Sequence, residues 1–479
     1  MFSYYDLAQA AGRVAAELTL GQGDLQERRV AFLVPPSFAY VVISRAIRLA
    51  GGVAVPLAVS HPPAELEHVV RDSGASIVVG GGRHADALEA IAEAAGARFL
   101  RTADLLAAGG EGWECGQDAR SRPGRAVTAI PDLAPAMILY TSGTTGRPKG
   151  AVISHGNLAA QVASLLAAWE WTRDDRALLV LPLHHVHGIV NILGCALAAG
   201  ASCEILPQFE TEPTWDRLAS GDVTVFSAVP TIYRRLISSY DAAPPGLQRA
   251  RAAGCRRVRL MMSGSAALPV RTLERWREIT GHTLLERYGM TETGMILSNP
   301  LHGDRRPGLV GTPLPGVDVR LVDGELEVRG PGVFLGYWNR PDETRAAFHD
   351  GWFRTGDTAV VPDEGSGAFQ LLGRTSVDII KTGGYKISAL EIEDVIREHP
   401  SVVDCAVVGV PDEEWGERVS ASVELRDGAS LTLDELQGWT KARLAPYKVP
   451  KELHPVRSLA RNAMGKVVKP RTRPGERGT

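Results

Sequence analysis

A run of hydroxyl, glycine and lysine residues directly after an apolar segment is the strongest chemical feature of this 479-residue sequence. Residues 141–150 read Thr-Ser-Gly-Thr-Thr-Gly-Arg-Pro-Lys-Gly, and the groups that could bind an anion are Thr141, Ser142, Gly143, Thr144, Thr145, Gly146 and Lys149. Glycines let the backbone turn its N–H groups toward an anion, hydroxyls add donors, and the lysine supplies a compact positive charge. The segment therefore predicts a loop that wraps a polyphosphate.

The spacing in this loop differs from two other nucleotide-binding patterns. Gly143, Gly146 and Lys149 do not form Gly-x-x-x-x-Gly-Lys-Ser/Thr, and no Gly-x-Gly-x-x-Gly opens a helix here. The apolar residues 136–140 predict a buried strand that leads into the loop, and residues 157–169 predict the helix that comes after it.

The elements that must position the loop follow from the pattern of the whole chain. Up to about residue 330, short apolar runs alternate with helical segments, which predicts βαβ units and largely parallel sheets. Residues 317–372 instead show short strands and turns, as in an antiparallel, barrel-like unit. After residue 373, capping boxes at Ser388 with Glu391 and at Thr432 with Glu435 predict helices of a small α+β module. We therefore expect an α/β protein with a large N-terminal domain, residues 1–373, and a small C-terminal domain, residues 374–479.

Composition narrows the class of protein. Hydrophobic residues make up 44% and charged residues 22% of the sequence, as in a soluble globular enzyme. The net charge of −3 gives no reason to expect a nucleic-acid or membrane partner. Five cysteines without metal-binding spacing, and the absence of an export signal or a membrane-spanning run, predict a cytoplasmic protein.

Two motifs further along the chain could complete an ATP site. Residues 263–269, Ser-Gly-Ser-Ala-Ala-Leu-Pro, follow an apolar run, and the small residues Gly264, Ser265 and Ala266 would let a flat base approach the backbone. Residues 286–293 read Glu-Arg-Tyr-Gly-Met-Thr-Glu-Thr. They offer a ring for stacking on adenine at Tyr288, a hydroxyl at Thr291 and a carboxylate suited to Mg²⁺ at Glu292. We also place Glu286 and Arg287 among the ATP contacts.

Three motifs remain. Residues 351–357 end in Asp357, whose carboxylate suits both ribose hydroxyls, and Arg374 could reach the same sugar. Residues 381–386 read Lys-Thr-Gly-Gly-Tyr-Lys, and residues 461–467 contain Lys466.

In this order, the motifs resemble the AMP-forming adenylating superfamily of acyl-CoA synthetases, peptide-synthetase adenylation domains and firefly-type luciferases. The resemblance implies ATP, Mg²⁺ and coenzyme A as cofactors, with Lys149, Thr291, Glu292 and Lys466 catalytic, Glu292 on the metal, and Asp357 and Arg374 on the ribose. It also implies that the small domain rotates between two half-reactions and presents Gly383, Gly384 and Lys386 to coenzyme A. The hinge position of the superfamily is usually Asp or Lys, whereas this sequence has Ser376.

Substrate choice is expected to depend on residues 181–188 and 229–235, which relatives place around the acyl group. A buried arginine is costly unless it faces an anion, so we expect Arg235 to bind the distal carboxylate of a short diacid. Strings such as Leu-Pro-Leu-His-His-Val-His-Gly resemble malonyl-CoA and methylmalonyl-CoA synthetases. That resemblance implies a malonate or methylmalonate ligase in which Arg235 and Ser265 hold the free carboxylate and His185 or His187 lines the pocket.

Three alternatives remain open at this stage. The chain could be a coenzyme A ligase for another short acid, or a freestanding adenylation enzyme that loads a separate acyl carrier protein. It could also be an inactive nucleotide sensor, against which the presence of Lys149, Glu292, Asp357 and Lys466 argues.

Overall fold

The computed structural model describes residues 1–20, 23–107, 130–141, 148–363, 365–375, 377–382, 385–413, 415–461 and 467–469, with Lys386 described for its backbone only. These residues form four sheets, of which the first two are mixed, the third is antiparallel and the fourth is again mixed. This agrees with the predicted α/β class. Among the described residues, no helix is both long and apolar enough to cross a membrane.

The first sheet contains the hairpin that carries the predicted phosphate loop. Its elements in chain order are α1 Tyr4–Thr19, β1 Arg29–Leu33, α2 Phe38–Leu49, β2 Val53–Pro56, α3 Pro63–Ser73, β3 Ile77–Gly80, a 3₁₀ turn Gly82–His84, α4 Ala85–Ala94, β4 Arg98–Arg101, α5 Thr102–Ala107, β5 Pro135–Thr141 and β6 Lys149–Ser154. Strands β1 to β5 pair in parallel, whereas β5 and β6 are antiparallel. Every residue of β2 and β3 is buried, as expected for parallel strands covered on both faces.

The second sheet supplies most of the remaining candidate residues. Its elements are α6 His155–Trp169, β7 Arg176–Leu179, a π-helix His187–Gly194, α7 Cys195–Ala199, β8 Ser202–Ile205, α8 Thr211–Ala219, β9 Val225–Ala228, α9 Pro230–Ala242, α10 Pro245–Cys255, β10 Leu260–Ser263, α11 Val270–Thr280, β11 Leu285–Met290, β12 Gly294–Ser298 and β13 Thr312–Pro313. The strand order is β13-β12-β11-β10-β9-β7-β8. The parallel pairs β7–β9, β9–β10 and β10–β11 confirm the predicted βαβ organisation.

The third sheet holds the predicted ribose contacts. Its region contains β14 Asp318–Val322, β15 Glu325–Arg329, β16 Gly336–Tyr337, α12 Pro341–Ala346, β17 Phe348–His349, β18 Trp352–Val360 and β19 Gln370–Arg374. The sheet order is β14-β15-β18-β17, with β19 also on β18, and all of these pairs are antiparallel, as predicted. Strand β16 instead pairs with β6, which ties this region to the first sheet.

The fourth sheet forms the α+β module near the C-terminus. It comprises β20 Ile379–Thr382, β21 Tyr385–Ser388, α13 Ala389–Arg397, β22 Val402–Asp412, β23 Gly416–Leu425, α14 Leu433–Lys441, a 3₁₀ turn Pro446–Lys448 and β24 Glu452–Val456. The capping box of Thr432 and Glu435 is confirmed. At Ser388 half of the predicted box is wrong: the Ser388 hydroxyl accepts from the Glu391 N–H, as predicted, but the Glu391 carboxylate accepts from Lys448 rather than from the Ser388 N–H.

Candidate active site

The hairpin of β5 and β6 fixes both ends of the predicted phosphate loop. Thr141 lies opposite Lys149 in the antiparallel register, so the loop leaves and rejoins the first sheet at one point. The intervening Ser142, Gly143, Thr144, Thr145 and Gly146 lie outside the described residues. The placement of Thr141 and Lys149 therefore agrees with the prediction, whereas the contacts of the loop itself stay a prediction.

Lys149 and Glu292 both contact Tyr337. The Lys149 ammonium lies 5.0 Å from the centre of the Tyr337 ring and forms an ion pair with Glu343. The Tyr337 hydroxyl donates a 2.9 Å hydrogen bond to Oε1 of Glu292. Burial raises the pKa of Glu292, while the hydrogen bond from Tyr337 and the nearby cations Arg374 and Lys149 oppose that rise. The structure thus brings together residues that are far apart in the sequence.

The surroundings of Glu292 fit a magnesium ion bound together with a polyphosphate. Magnesium usually takes one or two protein carboxylates and completes its shell with phosphate oxygens and water. Glu292 is a single buried carboxylate, and the described residues contain no cluster of three or more potential metal ligands. A dication beside Glu292 would offset the cost of burying its charge. Glu292 is therefore the residue that would hold Mg²⁺.

Asp357 and Arg374 lie opposite each other on β18 and β19. The Arg374 Nε is 3.0 Å from Oδ1 of Asp357, and its Nη1 donates to the carbonyl of Thr355 at 2.9 Å. The hydroxyl of Tyr288 donates to the other carboxylate oxygen of Asp357. A carboxylate offers about four lone-pair directions, so Asp357 keeps capacity for two sugar hydroxyls.

The segment after β10 runs beside Arg287. A Cβ on Gly264 would lie 2.0 Å from Nη1 of Arg287, which explains the glycine. Ser265 has a φ of 68°, an uncommon conformation for a residue with a side chain. Ala266 is exposed, and Thr291 is half-buried in the turn between β11 and β12.

Glu286 is buried on β11, where it accepts a 3.3 Å hydrogen bond from the N–H of Gly308. Burial raises the pKa of Glu286 to about 8, so it holds its proton at neutral pH. Glu286 and Arg287 are consecutive in a strand, and their side chains therefore point to opposite faces of the sheet.

His187 opens the π-helix and is held by two serines. Its Nδ1 lies 3.1 Å from Oγ of Ser265, and its Nε2 lies 2.7 Å from Oγ of Ser227. Burial, and then the charge of Arg287, holds the pKa of His187 well below its usual range, so the ring is neutral. His185 is half-buried with its pKa lowered to about 4 by burial, and its ring centre lies 4.1 Å from that of His184.

Arg287 is a buried cation without a hydrogen-bond partner among the residues that the structure describes. Only 3% of its surface is exposed, and within the described part of the chain none of its three side-chain nitrogens forms a hydrogen bond. Burial lowers the pKa of Arg287 to about 10, which leaves it charged at neutral pH. An unpaired buried charge is strongly unfavourable, so such a group is typical of a site that receives an anion.

The expectation that Arg235 is buried is wrong, whereas its predicted contact with the distal carboxylate of a diacid stays a prediction. On α9 the buried side is formed by Ile232, Tyr233 and Leu236, and Arg235 lies off that side and is exposed. Its guanidinium packs 4.8 Å from the centre of the Phe209 ring, at the margin of an open cleft of about 1770 Å³. An exposed arginine can stay hydrated and does not need an anionic partner.

The remaining predicted residues cannot be placed. Gly383, Gly384, Ser376 and Lys466 lie outside the described residues, and the backbone of Lys386 belongs to β21. Their predicted roles in coenzyme A binding, domain rotation and catalysis stay predictions.

Comparison with known proteins identifies the family. Residues 1–338 match the model of the AMP-binding enzyme family, and residues 391–466 match the model of the AMP-binding enzyme C-terminal domain. The chain belongs to the AMP-binding enzyme family, as predicted from the motifs. Among curated proteins, it is similar to the mitochondrial malonate–CoA ligase ACSF3 of Mus musculus, with 49% identity over 93% of this chain and 81% of that protein.

Solved structures of relatives have the same fold. The chain is similar to ATP-bound MatB from Rhodopseudomonas palustris, with a TM-score of 0.84 and 37% identity over 97% of this chain and 91% of the other. A malonyl-CoA ligase with methylmalonyl-CoA and AMP bound gives a TM-score of 0.66 and 39% identity over 95% and 94%. These matches confirm the predicted fold. The TM-score is higher for the ATP-bound structure than for the complex with methylmalonyl-CoA and AMP.

Proposed function

We propose that this chain is an AMP-forming ligase that joins malonate or methylmalonate to coenzyme A. The acid is first converted to an acyl-adenylate with release of pyrophosphate, and the thiol of coenzyme A then displaces AMP. The family match and the similarity to malonate–CoA ligases support the reaction class. The residues of the acyl site support a substrate with a second negative charge.

The unpartnered guanidinium of Arg287 is the observation that carries this proposal. The charge of Arg287 acts on the neutral His187, and His187 contacts the hydroxyl of Ser265. A planar guanidinium can donate two parallel hydrogen bonds to one carboxylate. We propose this acyl role for Arg287 in place of the ATP contact expected from the sequence. Malonate would place its distal carboxylate on Arg287, while its proximal carboxylate stays free to react. A monocarboxylate would leave Arg287 unpaired and would be disfavoured.

Other residues position the nucleotide for the first half-reaction. Lys149 neutralises phosphate charge, and Asp357, held by Arg374 and Tyr288, accepts the ribose hydroxyls. One oxygen of the proximal carboxylate attacks the α-phosphorus of ATP, the bond to the β-phosphate oxygen breaks, and pyrophosphate leaves. Glu292 would hold Mg²⁺ together with phosphate oxygens, and the ion would supply positive charge against the negative charge that develops. Lys466 is assigned to the same charge from the family resemblance alone.

The second half-reaction uses the C-terminal domain. Sulfur of coenzyme A attacks the acyl carbonyl, the bond to the AMP oxygen breaks, and the thiol proton passes to solvent. Gly383, Gly384 and Lys386 are proposed to guide the pantetheine arm. We keep residues 1–373 and 374–479 as the proposed domains and the cytoplasm as the proposed location, although the ACSF3 relatives are mitochondrial by name.

A substrate panel tests the proposal. Pyrophosphate release is measured with malonate, methylmalonate, acetate, propionate and succinate, with and without coenzyme A, and products are identified by mass. We expect malonate or methylmalonate to give the highest kcat/KM and the product to be the corresponding thioester. Equal use of propionate would contradict the dicarboxylate assignment. Adenylate without thioester would favour a separate carrier protein as the acceptor.

A further inference from the structure

A second buried polar side chain without a hydrogen-bond partner among the described residues is Asn191. Asn191 is 1% exposed, and neither its amide oxygen nor its amide nitrogen has a hydrogen-bond partner among the described residues. Over the part of the chain that the structure describes, Asn191 and Arg287 are the two buried polar side chains with several nitrogen or oxygen atoms and no partner for any of them. A buried amide without partners is costly, which points to a ligand or a bound group for it.

The local backbone places Asn191 on the same side of its helix as His187. Both residues belong to the π-helix His187–Gly194, in which hydrogen bonds run from residue i to i+5, so residues four or five apart share a face. His187 contacts Ser227 on β9 and Ser265 just after β10, so this face is turned toward those strand ends. Arg287, on the neighbouring β11, influences His187 electrostatically. Wide π-helical turns are frequent at functional sites.

Asn191 is a polar residue in an otherwise apolar stretch of the π-helix. The other residues of the π-helix next to Asn191, namely Ile189, Val190, Ile192 and Leu193, are buried and apolar. Ser263 at the end of β10 is also fully buried and has an unpartnered hydroxyl. The core of this part of the protein thus contains an amide and a hydroxyl where apolar side chains would pack without penalty. Their unmet hydrogen bonds add to those of Arg287 in one region of the second sheet.

We propose that Asn191 is a specificity-determining residue that donates a hydrogen bond from Nδ2 to the distal carboxylate of the diacid, beside Arg287. This inference rests on the proposed function. Arg287 supplies the charge, whereas the amide adds a directional donor that a methyl or methylene group cannot use. Asn191 therefore favours a carboxylate over an apolar group at the far end of the substrate.

Asn191→Leu tests this role, since leucine has a similar size and no polar atoms. Loss of a hydrogen bond to a charged group corresponds to a fall in kcat/KM with malonate on the order of 10- to 100-fold. Use of propionate should stay equal or rise, because its methyl group gains an apolar neighbour. Asn191→Asp should reduce malonate use further, because it places a like charge beside the carboxylate.

A matched control separates this role from a structural one. Asn157 is also buried, but its Nδ2 donates to the carbonyls of Pro331 and Val333. Asn157→Leu should lower Tm without changing the ratio of kcat/KM for malonate to that for propionate. Asn191→Leu should change the ratio and keep Tm equal or higher, because it removes unpaired polar atoms from the core.

An unchanged ratio in Asn191→Leu, in an enzyme that prefers malonate, would overturn the role of Asn191 and leave the proposed function intact. Failure of the wild type to prefer malonate would instead overturn the proposed function itself.

Discussion

Replacing Arg287 by methionine should reverse the preference for a diacid. The change keeps a long side chain of similar shape at this buried position but removes the charge and all donors. The distal carboxylate of malonate would then be buried without a cation. Removing one member of a buried charge pair costs about 2–5 kcal/mol. At about 1.4 kcal/mol for each factor of ten, kcat/KM with malonate should fall roughly 30- to 5000-fold.

The same substitution should leave propionate use unchanged or improve it. In the native protein the terminal methyl group of bound propionate would face the guanidinium of Arg287, which is 3% exposed. In Arg287→Met it meets an apolar side chain, and burying one such carbon group contributes about 0.8 kcal/mol, or roughly a fourfold gain. The ratio of kcat/KM for malonate to that for propionate should therefore fall by at least two orders of magnitude by these figures.

Pyrophosphate release at saturating ATP, with malonate and propionate in parallel, measures this ratio. Arg235→Met is the matched control, because Arg235 is exposed and packs on Phe209. We expect it to change the ratio by less than about threefold, in line with a surface substitution. The reasoning fails if a folded Arg287→Met variant keeps the native ratio. It also fails if Arg235→Met produces the large loss, which would return the anchoring role to Arg235.

Three further predictions concern the nucleotide site and the pH dependence of stability. Glu292→Gln should lower kcat at least tenfold and weaken the dependence on Mg²⁺, whereas Tyr337→Phe, which removes only the hydrogen bond to Glu292, should have a smaller effect in a magnesium titration. Asp357→Ala should raise the KM for ATP while the KM for malonate stays within about twofold, measured with each substrate varied in turn. The pKa of Glu286 is raised to about 8 in the folded protein, so its contribution to stability is present at acidic pH and is lost as pH rises from about 4.5 to 8. Glu286→Gln should therefore flatten the fall in Tm over that pH range, and an unchanged profile would contradict the burial argument.

The sequence was sufficient for features that depend on neighbours along the chain. The apolar run at residues 136–140 predicted β5 to within one residue at each end, because a covered strand has a local signature. The phosphate loop and the motif at Glu292 were recognisable because their residue types are rare in that order. The contacts of both motifs with Tyr337 were not predicted, because they depend on β16 pairing with β6 in the first sheet.

The acyl site was predicted less well because burial is a tertiary property. Arg235 comes two residues after Tyr233 and Arg287 two residues after Leu285, but α9 exposes the first arginine and β11 buries the second. Strand alternation could have suggested that Glu286 and Arg287 serve different faces, and therefore different ligands. In the sequence, Asn191 was visible only as a polar interruption of an apolar run.

The π-helix His187–Gly194 also affects how the proposed acyl site could be altered by insertions and deletions. Its wide turns hold more residues than α-helical turns, so removing one residue would let the backbone return to α-helical bonding. At about 100° per residue, as in an α-helix, the side chains within this segment would then point in different directions around the helix axis. A single deletion could thus exchange the whole row of groups that faces β9 and β10, without any change in residue identity.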